Sequence, residues 1–268
     1  MDQYLQQLSE LALIAGRKIM QIYVKDFKVD TKQDTSPVTE ADRLAEEIIV
    51  AGLKRITPNI AIIAEEMAAE GALPKLSSNA NESFYLVDPL DGTKEFIHKR
   101  GEFTVNIALI KNHKPIIGII FAPTLNQLYV ADVEQNYAQL FELNNEFDLS
   151  KPLSQKDIST ANIPNIPFKI LASRSHINAQ TEAYIEDLRN QHDEVEIVNI
   201  GSSLKLCLLA AGEADIYPRF GPTMEWDIAA GHAILSAAGG YIKTDNGDDF
   251  TYGDQKNEFR NGNFIAYA

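Results

Sequence analysis

A chain of 268 residues, 45% of them hydrophobic, is long enough to bury a sizeable core as one large domain or two lobes. Its formal net charge of −14, with no Lys/Arg run, argues against a nucleic-acid polymer as partner, because that binding needs a basic face. A single cysteine, Cys207, excludes an intramolecular disulfide and a cysteine zinc cluster, and suits a reducing compartment.

The N-terminus carries acidic residues and no basic leader, so it does not read as a secretory signal. No apolar run approaches the roughly 18 residues of a membrane span, and the expected location is the cytoplasm. Leu5, Leu8, Ala12, Ala15, Ile19 and Ile22 recur at helical spacing and predict a helix over 3–23. Leu44, Ile48, Ile49, Leu53 and Ile56 repeat the pattern over 39–56, and Thr57-Pro58 ends it because proline lacks a donor. AIIA (61–64) is a short apolar strand that stops at Glu65-Glu66, and 67–82 reads as a loop. FYLV (84–87), FTVNIALI (103–110), PIIGIIFAP (115–123) and QLYVADV (127–133) read as strands, close enough in sequence for an antiparallel sheet. The polar stretch 144–167, with three prolines, reads as a connector between lobes 1–150 and 151–268. Beyond it FKILAS, a helix over 179–190, VEIVNI, a helix after Gly201, the helical run IAAGHAILSAAGG and the final GNFIAYA alternate, which predicts a parallel or mixed sheet.

Chemistry concentrates where these elements end. Asp88 and Asp91, in DPLDGT (88–93), follow an apolar strand. At 4 Å two such carboxylates repel by about 4 kcal/mol at an effective dielectric of 20, a repulsion that a cation or a shared proton would relieve. On a turn, residues three apart have Cβ atoms about 5–6 Å apart and share a face. Gly92 would let a phosphate approach the backbone closely. A lone D-x-x-D is more often a turn with a capping aspartate; the full DPLDGT after a strand is far more specific. The D-x-D-G-T pattern of aspartyl-phosphate phosphatases has a spacing of two and is not met here. Glu65-Glu66 alone would be a solvated face, and Thr39-x-x-Asp42 alone a capping box. Asp227, before an apolar helical run, has the same bland reading as a cap. Gly201, Ser202 and Ser203 stand at a helix start, where an anion cradle and an ordinary serine cap look alike. Lys205 and Arg219 are candidate phosphate contacts. G-x-x-x-x-G-K-[ST], H-E-x-x-H and G-x-S-x-G are all missing from the sequence. Oxygen-only ligands favour magnesium over zinc.

VTEAD (38–42), Glu65-Glu66, DPLDGT and WDIAAG (226–231), in that order along nearly the whole chain, resemble the inositol monophosphatase superfamily of magnesium-dependent, lithium-sensitive phosphatases. DGTKEF, GEFTVNIALI, SRSH (173–176), IGSSLK (200–205), YPRFGPT (217–223) and WDIAAGHA resemble its bacterial CysQ-type 3′(2′),5′-bisphosphate nucleotidase branch, enzymes of sulfur metabolism. The resemblance implies an α/β fold of the αβαβα layered-sandwich type. An N-terminal lobe, 1–150, would carry most metal ligands and a C-terminal lobe, 151–268, would close the site. It implies one magnesium ion on Glu65, Asp88 and the Leu90 carbonyl, a second on Asp88, Asp91 and Asp227, and a third, weaker ion near Glu65. Asp42, Thr93 and Glu65 would be catalytic, the first two orienting the attacking water. Glu65, Leu90, Asp91, Gly92, Thr93, Ser202, Ser203, Lys205, Arg219 and Asp227 would face the substrate. Where the inositol enzymes carry an acidic residue for sugar hydroxyls, Arg219 stands here, which favours a second phosphate. The implied reaction removes the 3′-phosphate of adenosine 3′,5′-bisphosphate, with 3′-phosphoadenylyl sulfate as a further substrate. Inositol monophosphatase or fructose-1,6-bisphosphatase activity is the alternative within the class, and a non-catalytic metal-dependent nucleotide sensor the alternative outside it. The resemblance implies a monomer or homodimer in the cytoplasm, with peripheral association at the inner membrane face in some relatives.

Overall fold

Apolar faces at a period of 3.6 need a partner surface, and those of α1 (Gln3–Tyr23) and α2 (Glu40–Ile56) find it on one side of a large sheet. A computed structural model describes residues 1–25, 27–31, 37–76, 83–173 and 178–268. Between the two helices, β1 (Val29–Thr31) pairs antiparallel with β2 (Pro37–Thr39). Next come β3 (Ala61–Ala64), α3 (Glu65–Ala69), β4 (Ser83–Asp91) and α4 (Thr93–Ile97). They are followed by β5 (Thr104–Lys111), β6 (Lys114–Ala122), β7 (Gln127–Asp132), β8 (Tyr137–Glu142) and β9 (Ser154–Asp157). Strands β3 to β9 form one seven-stranded sheet in chain order, antiparallel except for the β3–β4 pair.

The second half contains β10 (Phe168–Ala172), α5 (Ala179–Gln191), β11 (Val195–Asn199), α6 (Leu204–Ala210) and β12 (Ile216–Arg219). After them come β13 (Thr223–Met224), α7 (Glu225–Ala237), β14 (Tyr241–Thr244), β15 (Arg260–Asn261) and β16 (Phe264–Tyr267). A mixed five-stranded sheet runs in the order β11-β10-β12-β16-β14, and β13 pairs with β15.

Side-chain alternation along the strands sorts the core into layers. Tyr85, Val87, Val105, Ile107, Ile119 and Phe121 face α1 and α2. Their neighbours Phe84, Leu86, Ala108, Ile110 and Ile120 face the other way, onto α6 and α7. Those two helices meet the second sheet through Leu171, Tyr217, Phe264 and Ala266. The far side of that sheet, Ile170, Ile216 and Ile265, packs on Ile185 and Leu188 of α5. The stacking is therefore α1/α2, large sheet, α6/α7, small sheet, α5: the expected αβαβα sandwich. α7 approaches the large sheet so closely that a Cβ on Gly118 would lie 2.2 Å from the Ala230 carbonyl oxygen.

Three local readings change. Residues 67–69, read from the sequence as the start of a loop, belong to the helix Glu65–Ala69; residues 77–82 of that loop lie outside those described, as do Arg174 to His176 of the SRSH string. β8 and β9 lie where the sequence shows no strand signal, and β9 joins the sheet from within the proline-bearing connector. All four residues of β9, SQKD, are exposed, so there is no apolar alternation to read; backbone pairing alone makes the strand, and its charges suit a sheet edge. Finally, β4 continues through Asp91, and the register with β5 slips between Asp88 and Asp91. An irregularity in a strand, not a turn of helix, brings the two aspartates to one place.

Candidate active site

Asp42, Asp88, Asp91 and Asp227 sit near the ends of elements, each held by a named donor. Thr39 caps α2, and its N–H and hydroxyl donate to Asp42 Oδ2 at 2.8 and 2.6 Å. Asp42 Oδ1 is left to accept from the Thr93 hydroxyl at 3.0 Å. Capping and pairing with Thr93 thus use different oxygens of one carboxylate. Asp88 Oδ1 accepts from the Leu90 N–H at 3.0 Å, and the Leu90 carbonyl receives a second, longer contact from the Thr93 hydroxyl at 3.3 Å. Gly92 then turns the chain with φ +93°; a side chain there would press within 2.8 Å of the Glu102 carbonyl oxygen. Asp91 Oδ2 accepts from the Ser203 N–H at 2.5 Å, and Asp227 Oδ2 from the Met224 N–H at 2.8 Å at the start of α7.

These groups form one electrostatic cluster. Burial pushes Asp88 well above the usual carboxylate range, and Glu65, Asp91 and Asp227 push it further. Burial likewise raises Asp227 far above normal, reinforced by Asp91 and Glu65 and opposed by the Met224 N–H and Arg219. Asp91 is raised by burial to about 6, held back by Lys205 and the Ser203 N–H. Asp42 is raised by burial, against the Thr39 bonds. Mutual repulsion of this kind is the mark of carboxylates gathered at one point. Among the described residues no three His, Cys, Asp or Glu side chains stand in metal-ligating geometry, so the carboxylates are electrostatic neighbours rather than a formed cage. The donors are all oxygens, buried and anionic, and fit a hard divalent cation.

A cleft of about 270 Å3 opens beside them, lined by Glu65, Asp91, Gly92, Thr93, Ser202, Ser203, Lys205, Arg219 and Asp227 among others. Asp42, Asp88 and Leu90 lie outside that lining, with Asp88 only 2% exposed. Ser202 takes φ +50° on the loop before α6. The Ser203 hydroxyl points inward, 2.8 Å from both Thr104 Oγ1 and Asn106 Oδ1. Lys205 is 6% exposed; its ammonium donates to the carbonyls of Ser202 at 2.7 Å and Ile200 at 3.1 Å, and burial pulls it down to about 8. Arg219, 7% exposed, donates to the Pro222 carbonyl at 3.1 Å, while its buried Nε has no hydrogen-bond partner among the described residues. Lys94, Glu95, Ser173, Tyr217 and Thr223 also line the cleft and were not anticipated. All five stand in strings that carry the resemblance, DGTKEF, SRSH and YPRFGPT, but their residue types alone signal no role in a site.

A five-layered sandwich with a carboxylate cluster and a cleft between its sheets defines the class of inositol-phosphatase-like hydrolases. The chain belongs to the inositol monophosphatase family, whose family model matches residues 1–264. The 3′(2′),5′-bisphosphate nucleotidase CysQ of Escherichia coli K12 is 40% identical over 250 residues, covering 92% of this chain and 93% of that protein. The protein of the same name from Buchnera aphidicola is 42% identical over 267 residues, covering 98% and 93%. In structure the chain is similar to CysQ from Bacteroides thetaiotaomicron, a bacterial member of the inositol monophosphatase family. The TM-score is 0.81 at 39% identity, with 98% of this chain and 96% of that one covered.

Proposed function

We propose that the chain is a magnesium-dependent 3′(2′),5′-bisphosphate nucleotidase acting in the cytoplasm. It converts adenosine 3′,5′-bisphosphate and water to AMP and phosphate, with 3′-phosphoadenylyl sulfate as a second substrate. The carrying observation is charge placement: Lys205 and Arg219 are buried cations in the same cleft as Asp91 and Asp227, and the Arg219 Nε lacks a protein partner among the described residues. A substrate with one phosphate needs only the carboxylate end; a second phosphate gives the cationic end its counter-charge. The naming of the E. coli and Buchnera relatives supports the same substrate class.

Glu65, Asp88, Asp91, Asp227 and the Leu90 carbonyl would hold two magnesium ions, with a third near Glu65. Bound there, the ions would acidify the attacking water and neutralise the departing 3′-oxygen. The chain's own part is orientation. Thr93 directs its hydroxyl proton to Asp42 Oδ1, which turns an oxygen lone pair towards the cleft as acceptor for the water. Asp42 Oδ2 is occupied by Thr39, which leaves Oδ1 for Thr93, and at 3.0 Å this is a shorter contact than the 3.3 Å to the Leu90 carbonyl. Gly92 and Thr93 would bound the scissile phosphate, and Ser202, Lys205 and Arg219 the distal one.

The test is a substrate panel with magnesium, with and without lithium. Release of phosphate from adenosine 3′,5′-bisphosphate should exceed that from inositol 1-phosphate and fructose 1,6-bisphosphate by about tenfold or more, the worth of one charge-assisted pair, and lithium should suppress it. A preference for inositol 1-phosphate would overturn the substrate assignment. Magnesium-dependent nucleotide binding without turnover would make the chain a sensor instead.

A further inference from the structure

α3 begins without a cap of its own. Its N-cap position is Ala64, which has no side-chain acceptor, so the N–H groups of its first turn need oxygens from elsewhere. They find them on α2. The Glu46 carboxylate, 6% exposed, accepts from the Glu66 N–H through Oε2 at 2.7 Å and from the Met67 N–H through Oε1 at 2.9 Å. The arrangement is a bidentate cap supplied from another helix. It is also an expensive choice of cap, since Glu46 is repelled by both Glu65 and Glu66. A serine or asparagine at Ala64 would accept one of these bonds without that repulsion, but would leave α3 tied only to its own strand.

Glu46 lies one helical turn beyond Asp42 on α2. Its two bonds therefore refer the first turn of α3, where Glu65 is the leading residue, to the same rigid helix that carries Asp42. Resting on the reading of Glu65 as a metal ligand, we propose that Glu46 is a positioning residue for the reaction: it sets Glu65 relative to Asp42 by gripping the two amides that follow Glu65. Glu46 does not line the cleft and has no direct contact with substrate in this scheme.

The test compares wild type with Glu46→Ala and Glu46→Gln by three readouts. Hydrogen exchange at the Glu66 and Met67 amides without metal reports the cap itself. The magnesium concentration that half-saturates the thermal shift reports Glu65 placement, and kcat against KM for adenosine 3′,5′-bisphosphate reports its use. Glu46→Ala should release both amides, raise the half-saturating magnesium by about tenfold and lower kcat more than KM, as loss of outer-shell support does. Glu46→Gln keeps one acceptor and should fall between, and it carries the test if Glu46→Ala does not fold. Released amides with unchanged magnesium dependence and kcat would overturn the proposal and leave Glu46 a cap only. A wild type with no magnesium-dependent shift would sink the metal reading itself, and the positioning role with it.

Discussion

Asp88 shows why a deeply buried member of a charged cluster has much to gain from neutralisation. Its carboxylate is almost wholly enclosed and faces Glu65, Asp91 and Asp227, so the metal-free protein must either protonate it or bear the repulsion. Asp88→Asn keeps the acceptor for the Leu90 N–H and removes the charge. The variant should be more stable than wild type in chelator by about 1–2 kcal/mol in urea melts, and inactive in phosphate release, a trade of function for stability. Lower stability in chelator would mean the cluster is not repulsive. Motif strings bring Asp42, Glu65, Asp88, Asp91, Thr93 and Asp227 forward as candidates before any fold is known, because VTEAD, Glu65-Glu66, DPLDGT and WDIAAG are each local in the sequence. Glu46 was not legible. Its partners are about twenty residues away, and no spacing within α2 signals a bond to α3. The inward turn of the Ser203 hydroxyl was hidden for the same reason, since Thr104 and Asn106 come from a distant strand.

Elements with a strong period are readable to within a residue or two: α1, α2, β3 and β5 to β7 carry their burial pattern in the sequence, whereas β4 runs four residues past its apolar run, to Asp91. α7 is apolar nearly all round, with buried residues from Glu225 to Leu235, and this marks a helix enclosed on both sides rather than resting on a surface. What the pattern cannot convey is how near the helix comes to its sheet. Gly118 reads as an ordinary strand glycine, yet it is the point where β6 admits the Ala230 carbonyl. Gly118→Ala should cost about 2 kcal/mol in urea denaturation, the usual scale for overpacking a tight core. A neutral effect would show that α7 can move off the sheet freely. β9 stayed invisible because an edge strand that buries nothing has no hydrophobic signature.

For the molecule as a whole, stability against pH is set by opposing buried groups. His232 of α7 is 2.9 Å from the Tyr252 hydroxyl, and burial pulls it down to about 3 from its ordinary 6.5. Between those values the unfolded chain binds the extra proton, so this group's share of stability falls as pH falls through that window. Glu225 acts the other way. Burial lifts it to about 7 against the Gly253 and Asp254 N–H groups, so between its ordinary 4.5 and 7 the folded chain binds the proton and stability rises on acidification. The difference between wild type and His232→Gln isolates one of the two. From about pH 7 to about pH 5, wild type should lose about 2 kcal/mol more than the variant in urea melts. Parallel slopes would mean that the imidazole is not held neutral.

The placement of α7 at the centre of the sandwich has a further consequence for synthesis on the ribosome. The inner face of the large sheet, with Phe84, Leu86, Ile110, Ile120 and Tyr129, is translated well before residues 225–237, which later cover it. Until then a greasy sheet surface stands open in the growing chain, the kind of intermediate that invites aggregation or a chaperone. Asp227 arrives on that same helix, so on the proposed reading of Asp227 as a metal ligand the emerging polypeptide stays chemically silent until the segment that shields it is in place.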